Sequence, residues 1–150
     1  MHKIIDEPKI EGYVNIKLVD RRSGKVDVEV KGGNTFHLGF ASGVTGELVG
    51  EAGEYLGKIT DVDLYDANDN LIKRLANPTL ERNLFSDRIE VKARFEDAST
   101  DTYTVAGVLL IATYGSSTRA IAFKKGLNTS KPSTKKLVVD WVIVVRYAQP

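Results

Sequence analysis

Period-two alternation of apolar and polar side chains runs through most of this chain, and its longest stretch is the last one. From Leu137 to Tyr147, residues Leu137, Val139, Trp141, Ile143, Val145 and Tyr147 share one face, while Val138, Asp140, Val142, Val144 and Arg146 share the other. Successive side chains of a strand point to opposite faces, so the run predicts one long strand. One face is wholly apolar and the second is apolar in its middle. That predicts a central strand, or one whose outer face meets a partner. Each buried Val, Ile or Leu contributes roughly 1.5–3 kcal/mol, so this strand is expected to anchor the core.

The same beat recurs upstream. Val14, Ile16 and Leu18 alternate with Asn15, Lys17 and Val19, Arg21 to Gly24 supplies a turn, and Val26, Val28 and Val30 alternate with Asp27, Glu29 and Lys31. This is a first hairpin whose second strand has one wet face. Lys58–Tyr65 and Leu71–Leu75 flank a turn at Asp66–Asn70. Arg88–Phe95 sets Ile89, Val91, Ala93 and Phe95 inward against Arg88, Glu90, Lys92 and Arg94 outward. Thr102–Tyr114 is longer and more apolar, with Gly107 at a bulge or close approach. Thr118–Lys124 is a further strand and Lys125–Lys136 a polar loop. Residues 34–57 break the rhythm: with Gly33, seven glycines punctuate Phe36, Leu38, Phe40, Val44, Leu48 and Val49. A long connection of irregular pieces is expected there, of the kind that often forms interfaces. With no convincing amphipathic helix, the fold class is all-β: an antiparallel β-sandwich or jelly-roll-like barrel of about eight to nine strands.

At 150 residues the chain is expected to form one domain over 13–150, preceded by an N-terminal arm over 1–12. In the arm Ile4, Ile5 and Ile10 are apolar, but Pro8 and the interleaved charges oppose a regular element. It either frays or docks its isoleucines on a neighbouring subunit, which makes Ile4, Ile5, Pro8 and Ile10 the candidate assembly contacts. With 42% hydrophobic and 27% charged residues, the chain is not globally disordered. A formal charge of +1 gives no bulk attraction to nucleic acid or an anionic membrane. The lack of cysteine removes disulfides, thiolate zinc sites and cysteine nucleophiles together. Charges occupy the place of a signal peptide's apolar core, and the longest apolar stretch, Val105 to Ala112, is too short to span a bilayer. A soluble chain without a signal peptide is the expectation.

Candidate chemistry is sparse. Asp61, Asp63, Asp66, Asn68, Asp69 and Asn70 form the densest acidic cluster, and hard cations such as calcium favour oxygen ligands. Leu71 and Asn77 stand where a calcium loop needs its glycine and its bidentate glutamate, so a hairpin turn is the better reading. Lys124, Lys125, Lys131, Lys135 and Lys136 could meet phosphates, yet no aromatic lies between Phe123 and Trp141 for base stacking, which leaves a solvated loop. The only histidines are His2 and His37, and no serine has a nucleophile-elbow pattern. Trp141 alternates with core aliphatics and is read as core rather than a sugar platform. Asn128-Thr129-Ser130 is a formal glycosylation sequon, of consequence only in a secreted protein. No catalytic, cofactor-binding or metal residue is assigned, and no cofactor is expected.

From Gly12 to Tyr147 the order of elements resembles a group of tailed-phage virion proteins. The residues that carry the resemblance are the hairpin VNIKLVDRRSGKVDVEVKGGNTF, a Gly-rich connection, RIEVKARFED, YTVAGVLLIA, and a lysine-containing loop leading into KLVVDWVIVV. Gly43–Tyr55 departs from the tighter Gly/Thr/Pro-rich run of that group. The resemblance implies a non-enzymatic structural role in a tail, baseplate, fibre base or head decoration, located in the virion. Its partners would be other virion proteins and copies of itself, as in a symmetric trimer that buries the second apolar face. The alternative is a carbohydrate-binding or adhesin-like module presenting Tyr65, Tyr103, Tyr114 and Tyr147 to a glycan. A small β-barrel hydrolase would have to use His37.

Overall fold

The computed structural model describes residues 9–36, 40 and 57–146. Among these the chain is all-β, with antiparallel pairing throughout. Its strands are β1 (Lys9–Asp20), β2 (Val26–Gly33), β3 (Thr35–Phe36), β4 (Lys58–Tyr65), β5 (Leu71–Ala76) and β6 (Thr79–Leu84). They continue with β7 (Arg88–Asp97), β8 (Tyr103–Val105), β9 (Gly107–Tyr114), β10 (Ser117–Lys124), β11 (Thr129–Lys131) and β12 (Lys135–Arg146). One five-stranded sheet runs β2-β1-β12-β7-β6, a second runs β3-β10-β9-β4-β5, and β8 pairs with β11 in a short ribbon. Each five-stranded sheet keeps two separate edges, so the barrel alternative does not hold.

The terminal strand is central, as its pattern predicts. β12 pairs with β1 from Lys9↔Arg146 to Asp20↔Lys135 and with β7 from Leu137↔Asp97 to Arg146↔Arg88. Register then decides the core. Trp141 lies between Val14 and Ala93, and Val139 lies between Ile16 and Phe95. The small Ala93 leaves the room that the indole fills. These residues join Val62, Leu64, Leu110, Ala112 and Ile121 of the second sheet in one hydrophobic cluster.

Three differences from the sequence reading have physical causes. Thr79–Leu84 is an edge strand on β7, although only Leu80 of its apolar residues packs against the core. The predicted run Thr102–Tyr114 is two strands. Ala106 separates them, donating its N–H to Tyr65 O (2.8 Å) and accepting from Leu127 N–H (2.9 Å) as the chain leaves the ribbon for the second sheet. Residues 9–12 continue β1, with Ile10 opposite Val145 and Gly12 opposite Ile143.

Gly12 has a specific reason to be glycine. Asn34, which carries the chain from β2 to β3, lies over its α-carbon, donates its N–H to Gly12 O (3.0 Å) and accepts from Trp141 Nε1 (3.1 Å). A Cβ added at Gly12 would run into the Asn34 side-chain amide. Gly12→Ala is therefore expected to cost about 1–3 kcal/mol by overpacking. Urea unfolding checks this, and an unchanged midpoint would show that Asn34 can move aside freely.

Candidate functional site

The outward face of β12 differs from the expectation of leftover apolar surface. Val138 and Val144 are only 3% and 4% exposed within the single chain. Register sets Lys17 and Glu96 beside Val138, Tyr13 and Lys92 beside Val142, and Glu11 and Glu90 beside Val144. Long charged side chains cover apolar surface with their stems while the heads stay in water. Asp140 sits buried in the middle of this face. Arg94 donates to it through Nε (2.7 Å) and Nη2 (2.9 Å), and Lys17 lies 3.4 Å away. Burial pushes the Asp140 carboxyl up, but the Arg94 fork with the Lys92 and Lys17 charges holds it below the usual range.

Apolar exposure appears instead at the β2 edge. Val28 and Val30 stand opposite Leu18 and Ile16, on the core-facing side, yet remain 38% and 36% exposed, and Val26 is more exposed still. The β1–β2 register shifts between Leu18 and Val19, where Val28 and Val26 are the successive partners, and Asp27 at that bulge pairs with Lys135 (3.2 Å); on the alternate face Glu29 accepts from Asn15 Nδ2 (2.9 Å) and lies 3.5 Å from Lys31. Of the candidate arm contacts, Ile10 lies in β1 and is exposed, while Ile4, Ile5 and Pro8 lie outside the described residues.

The other buried charges form a clasp between the sheets. Asp97, at the end of β7, accepts from Tyr103 Oη (2.6 Å), Lys73 Nζ of β5 (3.2 Å) and Ser99 N (3.0 Å). Lys73 also donates to Asp101 (2.7 Å) and Ser99 Oγ (3.0 Å). Lys131, placed by its sequence in a solvated loop, is instead 1% exposed in β11 and donates to the carbonyls of Ser99 and Asp101, both at 2.7 Å. Burial pushes the Asp97 carboxyl up, but these donors outweigh it and hold the group well below the carboxylate range. Burial and the bond to Asp97 push the Tyr103 phenol far up.

A depressed carboxylate gives stability that is whole above its unfolded pKa of about 3.9 and is lost as pH falls from there toward the folded value. Asp97→Asn should therefore lower stability at pH 7 and flatten the acid limb. Urea midpoints measured between about pH 6 and pH 2 check this. Parallel curves for the two proteins would remove Asp97 from the acid response.

In the acidic cluster, Asp63 is buried and gripped by Arg74 through Nε (2.6 Å) and Nη2 (2.9 Å). Asp66 closes the hairpin turn, accepting from the N–H groups of Asn68 and Asn70, both at 2.9 Å, with Asp69 at φ 59°. Among the described residues no three His, Cys, Asp or Glu side chains converge as a metal site would need.

The tyrosines named for glycan binding do not share a platform. Tyr103 is held in the clasp, Tyr114 is exposed at the β9–β10 hairpin, and Tyr147 lies outside the described residues, as do His2 and His37. Tyr65 does line a groove of about 310 Å³ with Leu109 and Phe123, rimmed by Asp69, Lys124 and Lys125. Alternation gives no sign of this groove, because it joins outward residues from three neighbouring strands. Comparison with known protein families, curated proteins and solved structures gave no match.

Proposed function

We propose that this chain is a non-enzymatic structural component of a virion, a β-sandwich serving as capsid decoration or as part of a tail or fibre. Its partners are other virion proteins and copies of itself. The observation that carries this reading is the fate of the buried charges. Asp63, Asp97, Asp140 and Lys131 are each consumed by an ion pair or hydrogen bonds that hold strands together. A catalytic carboxylate instead needs a cleft and a partner that leaves it ready to move a proton. The exposed valines of β2 and the strand order add support for assembly. The burial of Val138 and Val144 on the outer face of β12 shifts that support to the β2 edge and to the arm residues Ile4, Ile5, Pro8 and Ile10.

The test is coexpression of the full chain with the products of its adjacent reading frames, followed by imaging of the purified particles. Incorporation into a head, tail or fibre is expected. A product that joins no particle, or that turns over a substrate, overturns the reading.

The groove at Tyr65 favours a second reading, a carbohydrate-binding or adhesin-like module. Aromatic faces beside hydrogen-bonding groups suit a sugar ring. Binding on a glycan array that is lost in Tyr65→Ala would establish it, and an array with no signal would dismiss it.

A further inference from the structure

We propose that the groove over Gly107 binds one hexuronate ring, the acidic residue of a polysaccharide, with its carboxylate at Lys125 and its hydroxyls at Asp69. Val62, Leu64 and Leu110 belong to the core cluster, so their strand neighbours Tyr65, Gly107 and Leu109 face outward from the second sheet. Pairing sets Gly107 opposite Tyr65, and Leu109 opposite Phe123. Gly107 therefore leaves a gap in the outer face, walled on its inner side by Leu109 and Phe123. A Cβ added at Gly107 would stand 3.9 Å from Tyr65 Cβ and 4.0 Å from Lys125 Cγ, so these two side chains flank the gap. The resulting volume of about 310 Å³ is at the small end for ligand sites, which suits a single ring.

The charges on the rim choose the ligand. β9 lies between β10 and β4, so Lys125, just beyond β10, and Asp69, in the turn after β4, stand on opposite rims. Lys125 is exposed and has no ion-pair partner among the described residues. Lys124 also borders the groove, but its Nζ reaches toward the first sheet, 3.1 Å from where a Cβ of Gly32 would stand. Lys125 is thus the cation that a ligand meets. The Asp69 carboxylate likewise has no partner among the described residues, and its turn is already fixed by its own N–H bond to Asp66 O (3.1 Å). A site ordered in advance loses less on binding. An apolar trough with a cation on one rim and an acceptor on the other selects a ring that carries an anion on one edge and donors on the opposite edge. In a hexuronate the carboxylate on C5 lies across the ring from the hydroxyls on C2 and C3. One aspartate can accept from both hydroxyls, while the C–H groups of the ring face rest on Tyr65 and Leu109. The groove is open to solvent, so the expected dissociation constant is on the order of millimolar.

This assignment rests on the carbohydrate-binding reading of the groove and is indifferent to whether the chain sits in a virion. Amide chemical-shift titration of the full chain with methyl β-D-glucuronide, and with methyl β-D-glucoside as its neutral match, tests it up to about 50 mM sugar at constant ionic strength. The glucuronide is expected to move the amides of Tyr65, Gly107 and Lys125 and to bind about fivefold tighter than the glucoside, the worth of one exposed ion pair. Lys125→Gln touches no partner in the fold and should erase that preference. Gly107 is not in the left-handed region, and an added Cβ meets nothing nearer than Lys124 O at 3.4 Å. Gly107→Val should therefore fill the gap and abolish binding of both sugars, with circular dichroism melts to confirm the fold; Lys125→Gln decides independently of it. Equal affinity for the two sugars overturns the acidic preference and leaves the carbohydrate reading standing. No shift with either sugar overturns the inference, and the glycan array then decides that reading by itself. Glucuronide binding untouched by Lys125→Gln or Gly107→Val puts the sugar elsewhere and overturns the site.

Discussion

Trp141→Ala is expected to be the most damaging single substitution in the core, lowering stability by about 3–5 kcal/mol. The indole is 1% exposed, sits between Val14 and Ala93 on the central strand, and donates Nε1–H to Asn34. Truncation leaves a void in contact with both sheets, and the strands cannot close over it because their ladders fix the spacing. It also removes the donor that holds Asn34 at the crossing between the sheets. Trp141→Phe separates the two effects. It keeps most of the volume and should recover more than half of the loss, the remainder measuring the hydrogen bond and the missing ring. Because the chain has one tryptophan, both variants need far-ultraviolet circular dichroism rather than fluorescence. A cost for Trp141→Ala under 1 kcal/mol would show that the two sheets do not share a packed interior here.

Arg94→Met is expected to have the second largest effect, about 3 kcal/mol. The methionine keeps the aliphatic stem over the sheet, so the loss is electrostatic. Asp140 would remain buried with Lys17 as its near cation, without the two-bond fork that answers its desolvation. Removing one member of a buried pair strands the other charge, and Lys17 keeps the cost at the low end. The double variant Arg94→Met/Asp140→Leu should return most of the stability, since a buried pair is often no better than apolar residues of similar size. Urea unfolding followed through Trp141 emission measures the cycle. If the double variant is as unstable as the sum of its singles, the pair does more than neutralise itself.

Much of the fold was legible because one period governs it. Leu137, Val139 and Trp141 of β12, Ala93 and Phe95 of β7, and Val14, Ile16 and Leu18 of β1 are where alternation puts them. Very short strands were not legible: β8 and β11 have three residues each, too few for a period to register. The burial of Lys131 was hidden for another reason. Its acceptors, the carbonyls of Ser99 and Asp101, belong to a turn about thirty residues away in sequence, and no local signal announces them. Alternation also names a face without saying how far the opposing sheet reaches. That is why the valines of β2 read as core and proved half-exposed, whereas Val138 and Val144 on the outer face of β12 proved covered.

The pairing of β1 with β12 has a consequence for biosynthesis. The earliest of the described strands is paired with the latest, with Lys9 opposite Arg146. Long-range pairings of this kind fold slowly. A ribosome releases the β1–β2 hairpin well before its main neighbour exists, so the nascent chain carries Val14, Ile16 and Leu18 uncovered until β12 has been made. Chaperone dependence, and sensitivity to any truncation that reaches β12, follow from that order of events.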